Sequence, residues 1–525
     1  MSAAEISTLR VVGSVNQDGI EKAVRIPRLE ERITEELVIA LVGPVGSGCT
    51  ETYKQLDKIL GADYGYQVYY YKLSDFISRE APLVGEKIPE LLSPAQRIDR
   101  LQSIGDKLRE THGNAYLAAS AIKQIAALRE KEGFDEPRPN VRVPKKLRQI
   151  HVIDSIKHPE ELRLLRSTYG DILWLIGVFA PLEVRNRRLR SSKDSDESSL
   201  SRMIQRDYCE EGDRKHGQDV RAVFHQADFF VRNEQENTKD LKESLERFLE
   251  IIFGWPVHTP TRDESLMYAA HAEAAKSACL SRQVGAAIAS EKGELIGLGR
   301  NDVPKYDGGL YTEEDGRKDH RCHAWQEKCC HNDKMKGRLY QQIFEKLRDA
   351  KLLAPEASQA DVAQAVKKTD VKRLIEYSRA VHAEMDAITA VARTHKAGLL
   401  GGTLYVTTYP CHSCARHIVA SGIHKVVFIE PYPKSLATDL HYDAVSENEN
   451  EQGKVVFLQF SGMAPKNILK LFNIGLTRKG SDGTLTRYDK KTASPVVKVS
   501  LDDYPTHEQL VVAELPENEE RTAHR

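Results

Sequence analysis

Leu37-Val38-Ile39-Ala40-Leu41-Val42-Gly43-Pro44-Val45-Gly46-Ser47-Gly48-Cys49-Thr50 sets the architecture of the first half of the chain. Six consecutive apolar residues running straight into glycines are the pattern of a strand buried on both faces, as in a parallel sheet. The glycines follow the layout GxxxxGK[ST], in which flexible backbone lets N–H groups surround phosphates. Cys49 stands where the motif places a lysine for the β and γ phosphates, while Thr50 keeps the hydroxyl that suits Mg2+. The motif predicts nucleotide contact by Gly43, Gly46, Ser47, Gly48, Cys49 and Thr50, chiefly through backbone. Without the ammonium it argues against efficient phosphoryl transfer.

Outward from this run, residues 1–35 are polar and irregular, and downstream the pattern alternates. Strands are expected at 67–72, 149–154 and 172–179, with helices at 94–110 and 115–131, an order that belongs to an α/β sheet. Asp154 ends an apolar strand, where an acidic partner for Mg2+ would sit. Arg185, Arg187, Arg188 and Arg190 follow the next strand, and Asp228-Phe229-Phe230-Val231-Arg232-Asn233 reads as the last one. This layout resembles the nucleoside monophosphate kinases, in which an arginine-rich helix closes over phosphates. A purely structural α/β domain is the other reading.

Residues 255–263, with two prolines, read as a linker. A helix is then expected at 264–279, strands at 284–290 and 294–300, a helix at 382–395, a strand at 404–408, a helix at 411–421 and a strand at 425–430. That order describes a three-layer α/β/α domain. The segment 303–378 interrupts it, and helical spacing at 334–351 and 360–382 predicts a helical insert. Val455 to Phe460 reads as a final strand and 465–472 as a short helix. Residues 476–525 are polar, with hairpin content near 481–488. The predicted domains are therefore 1–35, 36–255, 256–475 and 476–525.

Two short segments of the second domain carry the chemistry. His382-Ala383-Glu384 and Pro410-Cys411-His412-Ser413-Cys414 form the order H-x-E and P-C-x-x-C, an established signature of zinc-dependent base deaminases. A catalytic zinc takes three nitrogen or sulfur ligands and leaves a fourth position for water, which His382, Cys411 and Cys414 satisfy. Zinc brings the pKa of its water down toward neutrality, and Glu384, one residue beyond a ligand, is placed to carry protons. Both thiols fall at a predicted helix N-terminus, where the dipole favours thiolate. A structural zinc or a redox pair is the alternative. Within the insert, His320-Arg321-Cys322-His323-Ala324-Trp325-Gln326-Glu327-Lys328-Cys329-Cys330-His331 is dense in soft ligands. Cys322, His323, Cys329, Cys330 and His331 are candidates for a second, structural Zn2+, against reduced thiols packed beside the site.

Composition bounds the rest. The chain has 525 residues, 40% of them hydrophobic, enough for several full cores, and a formal net charge of −1. It contains no apolar run long enough to span a bilayer, and no secretory pattern opens it, so no membrane partner is expected and the cytoplasm is the predicted location. Eight cysteines in a chain of this size fit a reducing compartment. Balanced charge and 7% aromatic content give no global footprint for nucleic acid, although 141–148 and 185–190 are locally basic.

Outside the zinc motif, Ser277-Ala278-Cys279-Leu280-Ser281-Arg282-Gln283-Val284-Gly285-Ala286 and Gly299-Arg300-Asn301-Asp302-Val303-Pro304 resemble the dCMP deaminases. That resemblance implies a sugar contact from Asn301, otherwise a turn residue. With a P-loop kinase-like parallel sheet ahead of a cytidine deaminase-like domain, the whole chain resembles the bacterial anti-phage dCTP deaminases of the AvcD type. Their likeness extends to the insert cluster and to Tyr432-Pro433-Lys434-Ser435-Leu436-Ala437. It implies deamination of dCTP and dCMP in antiviral defence, an inhibitory small noncoding RNA as partner, and a homo-oligomer. Lys434 and Ser435 are candidates for the triphosphate, or else plain surface-loop residues. Two other readings compete: a deaminase that edits nucleic acid, and a nucleotide- or RNA-sensing switch to which the deaminase is subordinate.

Overall fold

The computed structural model describes residues 32–515, apart from 139–140, 191–205, 208–214, 235–237, 256, 370, 372–373, 395–397, 433–434 and 473–476. Two six-stranded sheets organise it. In the first, Leu37–Val42 lies at the centre, paired in parallel with Gln149–Asp154 on one side and Leu173–Phe179 on the other. Gln67–Lys72 and Phe229–Arg232 extend the parallel set outward. All six residues of Leu37–Val42 are buried, as a strand covered by helices on both faces must be.

The second sheet is mixed. Leu295–Arg300, Gly285–Ala289 and Thr403–Thr408 run antiparallel in turn, and Lys425–Glu430, Val455–Gln459 and Val445–Ser446 continue in parallel. This is the α/β architecture expected, with the insert supplying helices His331–Asp349 and Gln359–Lys367. The expected long helix over 360–382 ends at Lys367. Val381 instead runs extended and bridges Asp302, its N–H donating to the Asp302 carbonyl at 3.0 Å. An extended approach is required because His382 must enter the next helix from outside, as its N-cap.

The halves share one continuous core. Leu266, Met267, Ala270, Tyr405 and Ile429 pack in the same cluster as the first sheet. Gly462–Met463, which follows the second sheet in sequence, pairs antiparallel with Phe229–Arg232 and forms the edge of the first sheet. Helix Arg262–Ala274 lies at the junction. Thr261 caps it, its hydroxyl accepting from Glu264 N–H while the Glu264 carboxylate accepts from Thr261 N–H. Glu264 is fully buried and also takes both Arg247 nitrogens at 2.8 Å and the Met463 N–H at 2.7 Å.

The polar composition after residue 476 conceals a docked element. Val496 N–H donates to the Ile252 carbonyl, Thr34 N–H to Val499 and Leu501 N–H to Arg32. Helix Asp503–Glu514 then packs on Tyr116–Glu132 and Pro159–Tyr169. Its Glu508 carboxylate meets the Arg129 guanidinium at 2.8 Å, and Arg129 holds Glu36 in a bidentate pair, all three side chains being buried. The expected turn in the preceding stretch is present, as an antiparallel bridge between Lys479 and Leu485.

Removing one partner of a buried ion network leaves a desolvated charge behind, so Glu508→Ala is expected to destabilise the first domain by about 3 kcal/mol. Chemical denaturation of the full chain measures this. A change within experimental error would mean that the C-terminal helix does not hold the first domain.

Candidate active site

Two helices present their N-terminal ends to one point. Thr403–Thr408 delivers Tyr409 and Pro410, and Cys411 caps helix His412–Ala420 with extended backbone, which places Cys414 in the first turn. His382 caps helix Ala383–Arg393 in the same way, with Glu384 in its first turn. This second helix lies directly on strand Leu295–Arg300. A side chain at Gly299 would come within 2.3 Å of the Ala383 carbonyl and the Ala387 nitrogen, so glycine there is what allows the approach.

His382 Nδ1 lies 3.4 Å from Cys411 Sγ and 3.3 Å from Cys414 Sγ. Among the described residues this is the one set of three His, Cys or carboxylate ligand atoms mutually within 4.8 Å. Nitrogen and sulfur ligands around a tetrahedral zinc stand about 3.6 Å apart, so the donor set and its spacing fit that ion. Zinc takes imidazole and cysteine in their deprotonated forms, so binding would displace protons that the three side chains share. The Cys411 thiol is pulled down to about 4, first by the hydrogen bond of Cys414 and then by His382, while bonding to Cys411 and burial push Cys414 upward. The Cys411 bond raises His382 to about 9. Glu384 is buried, and that burial raises its carboxyl above the usual range.

These groups open into a cavity of about 420 Å³ whose wall includes Asn301, His382, Glu384 and Tyr409. Two arginines outside the metal-type motif also line it. Arg282 forms an ion pair with Glu430, and Arg379 lies 4.0 Å over the Trp325 ring while donating to the His320 carbonyl. Arg282 was in plain view inside the quoted 277–286 segment, but nothing in spacing distinguishes a cavity arginine from a surface one.

The remaining candidates fall out differently. Asn301 lines the cavity, yet its amide is engaged by main chain, accepting from Val284 N–H and donating to the Arg282 carbonyl, both at 2.7 Å. One further bonding position remains on each of its polar atoms. Ser435 donates to the Pro410 carbonyl and accepts from Ala437 N–H, so its hydroxyl shapes its own loop; Lys434 lies outside the described residues. In the insert, Cys322, Cys330 and His331 reach the wall of the same cavity, joined by Cys279. No three ligand atoms of Cys322, His323, Cys329, Cys330 and His331 come within 4.8 Å of one another among the described residues. His323 instead faces the Asp319 carboxylate at 3.6 Å.

The glycine-rich loop forms a separate centre. Gly48 has φ +93°, and a side chain there would strike Asn233 Nδ2 at 2.1 Å, which explains the glycine. Thr50 donates to Asp154 at 2.8 Å, bringing together the two groups expected around Mg2+. Burial pushes the Cys49 thiol up to about 12, so it stays neutral. Two kinds of cation reach this loop: Arg188 of the expected arginine-rich helix donates to the Gly46 and Ser47 carbonyls at 3.2 Å, and Lys157, which spacing did not reveal, donates to the Gly43 carbonyl at 2.8 Å and to Asp207 at 3.0 Å, while Asp207 accepts from Val45 N–H.

Residues 260–430 match the family model of the cytidine and deoxycytidylate deaminase zinc-binding region. The deoxycytidylate deaminase of Enterobacteria phage T4 is 46% identical over 55 residues, covering 10% of this chain and 28% of that protein. A UPF0200/UPF0201 protein of Archaeoglobus fulgidus is 32% identical over 157 residues, 28% of this chain and 46% of that one. The chain thus spans less than half the length of the curated relatives it matches. Among solved structures, the dCMP deaminase of cyanophage S-TIM5 aligns at 17% identity over 39% of this chain and 100% of that one, with a TM-score of 0.22. No described helix is long and apolar enough to cross a membrane.

Purified chain is expected to carry about one zinc, lost in Cys411→Ser and in His382→Ala. Metal analysis of wild type and the two variants checks this, and a second equivalent that disappears in a further variant, Cys322→Ser, would assign the insert as a metal centre.

Proposed function

We propose, from a C-terminal domain of the cytidine and deoxycytidylate deaminase type, that this protein hydrolyses deoxycytidine nucleotides, dCTP and dCMP, to deoxyuridine nucleotides and ammonia. The observation that carries the reading is the convergence of His382, Cys411 and Cys414 behind a cavity whose wall includes His382, Glu384 and Cys411 and also two arginines. His382, Cys411 and Cys414 would hold a zinc ion through the imidazole and two thiolates, and that ion when bound would supply the Lewis acidity that makes water nucleophilic at neutral pH.

The chain's own residues do the rest. Glu384 is enclosed beside the ligands, and a carboxyl raised by burial is suited to accept a proton and return it near neutrality. It delivers the first proton of the attacking water to N3 of cytosine, then takes the second from the newly bonded hydroxyl and passes it to the departing amine, so that both protons of water are used. Tyr409 closes the wall beside Cys411, and Asn301 offers its remaining amide positions to the deoxyribose. Arg282 and Arg379 are the described cations at the cavity and supply charge for the phosphates, a role first considered for Lys434 and Ser435.

In this reading the product drains the dCTP pool, the biological setting is defence against phage, and the protein acts in the cytoplasm as a homo-oligomer restrained by a small noncoding RNA. The first domain, with Thr50 beside Asp154 and Lys157 at its glycine loop, binds a nucleotide with Mg2+. The resemblance to anti-phage dCTP deaminases supports these assignments.

Ammonia release with mass analysis is the test, offering dCTP, dCMP, deoxycytidine, CTP and a cytosine-containing single-stranded oligonucleotide side by side. Turnover of dCTP or dCMP is expected, with a loss of about 10²–10⁴-fold in Glu384→Ala. Turnover of the oligonucleotide alone would move the protein to the nucleic-acid editing class.

A further inference from the structure

The cavity wall beside Cys411 is tied to the first domain. Tyr409 is buried, packs edge-on against Phe428 at 4.8 Å and Phe457 at 5.4 Å, and lines the cavity two residues before Cys411. Its hydroxyl donates to Glu447 Oε1 at 2.9 Å. Glu447 leaves the second sheet just after Val445–Ser446; burial raises its carboxyl, opposed by the Tyr409 bond and by the positive charge of Arg185 in the first domain.

Arg185 is buried on helix Leu182–Leu189, and its backbone lies against the glycine loop: a side chain at Gly46 would come within 3.2 Å of Arg185 Cβ. A second link runs alongside. Glu449 pairs with Arg232 at 3.1 Å, and the next residue, Asn233, donates to the Ser47 carbonyl at 2.9 Å. Both routes begin at the same loop and end at the same five-residue segment.

We infer that segment 445–449 makes the glycine loop of the first domain a positioning part of the deaminase cavity, with Glu447 and Arg185 acting on the wall through Tyr409. The inference rests on the deaminase reading above for its kinetic consequence, and on packing alone for its structural one. Neither residue touches the reacting atoms. Their effect is to hold the Tyr409 ring, and with it the strand end that carries Cys411, at the position set by the first domain. Small displacements of a substrate-facing wall are costly because a well-packed site tolerates little movement.

The test uses the full chain as wild type, Glu447→Gln, Tyr409→Phe, Arg185→Ala, Arg185→Lys and the double variant Arg185→Ala/Glu447→Gln. Glu447→Gln and Arg185→Ala are each expected to raise KM for dCMP about tenfold, with zinc per chain unchanged. Tyr409→Phe should reproduce Glu447→Gln, Arg185→Lys should recover part of the loss, and the double variant should be no worse than either single one, as residues in one chain of contacts behave. Amide hydrogen exchange over residues 408–415 gives a readout that needs no turnover, and it should quicken alike in both single variants. Unchanged exchange there, or losses that multiply in the double variant, would overturn the inference. Wild-type protein inactive on both dCMP and dCTP, with exchange quickened as expected, would strike the deaminase reading and leave the structural link standing.

Discussion

A buried carboxylate belongs in a folded core only when every lone pair is used, and Glu264 meets that condition by joining the two halves of the molecule. It closes the cap of helix Arg262–Ala274, holds Arg247 from the last helix of the first domain, and accepts the N–H of Met463. Met463 is thereby fixed where Gly462–Met463 can add to the edge of the first sheet. Remove that carboxylate and three separate constraints lose their common anchor: the entry of the chain into the second domain, its return to the first, and the orientation between the two sheets.

That fixed relation gives the active-site wall its context. The zinc-type ligands depend on local devices: two helix N-termini, an extended bridge that delivers His382, and a glycine that lets a helix sit on a strand. Hydrogen bonding from Cys414 and the neighbouring His382 imidazole favour a thiolate at Cys411 against the cost of burial. The cavity wall is less local. Tyr409 is held from behind by Glu447, in a segment whose Glu449 pairs with Arg232 of the other domain.

The glycine loop shows the same economy of local and distant groups. Its left-handed glycines follow from the sequence pattern, yet the ammonium that approaches it comes from Lys157, far along the chain, and one of its N–H groups is taken by Asp207. A lysine missing from the motif position therefore does not leave the loop without a cation.

How much of this was legible follows the range of the interactions involved. The buried strand Leu37–Val42, the zinc-type triad and the strands on either side of it were readable because each is written in consecutive residues or in a short fixed spacing. The helix expected over 360–382 was not, because apolar spacing cannot register that Val381 must bridge Asp302. Ser435 and Asn301 looked like ligand groups by type, and only three dimensions show how far their hydrogen bonds are already spent on main chain. The polar stretch after residue 476 concealed Leu501, Tyr504 and Glu508, all buried against the first domain. What the sequence by itself determined is the α/β plan of each half and the donor set of the metal-type site, since periodicity and short spacing encode them. What only the tertiary structure decided is which distant charges meet, Arg129 with Glu508, Arg247 with Glu264, Lys157 with Asp207, because a long-range pair leaves no pattern along the chain and exists only once packing excludes the water between its members.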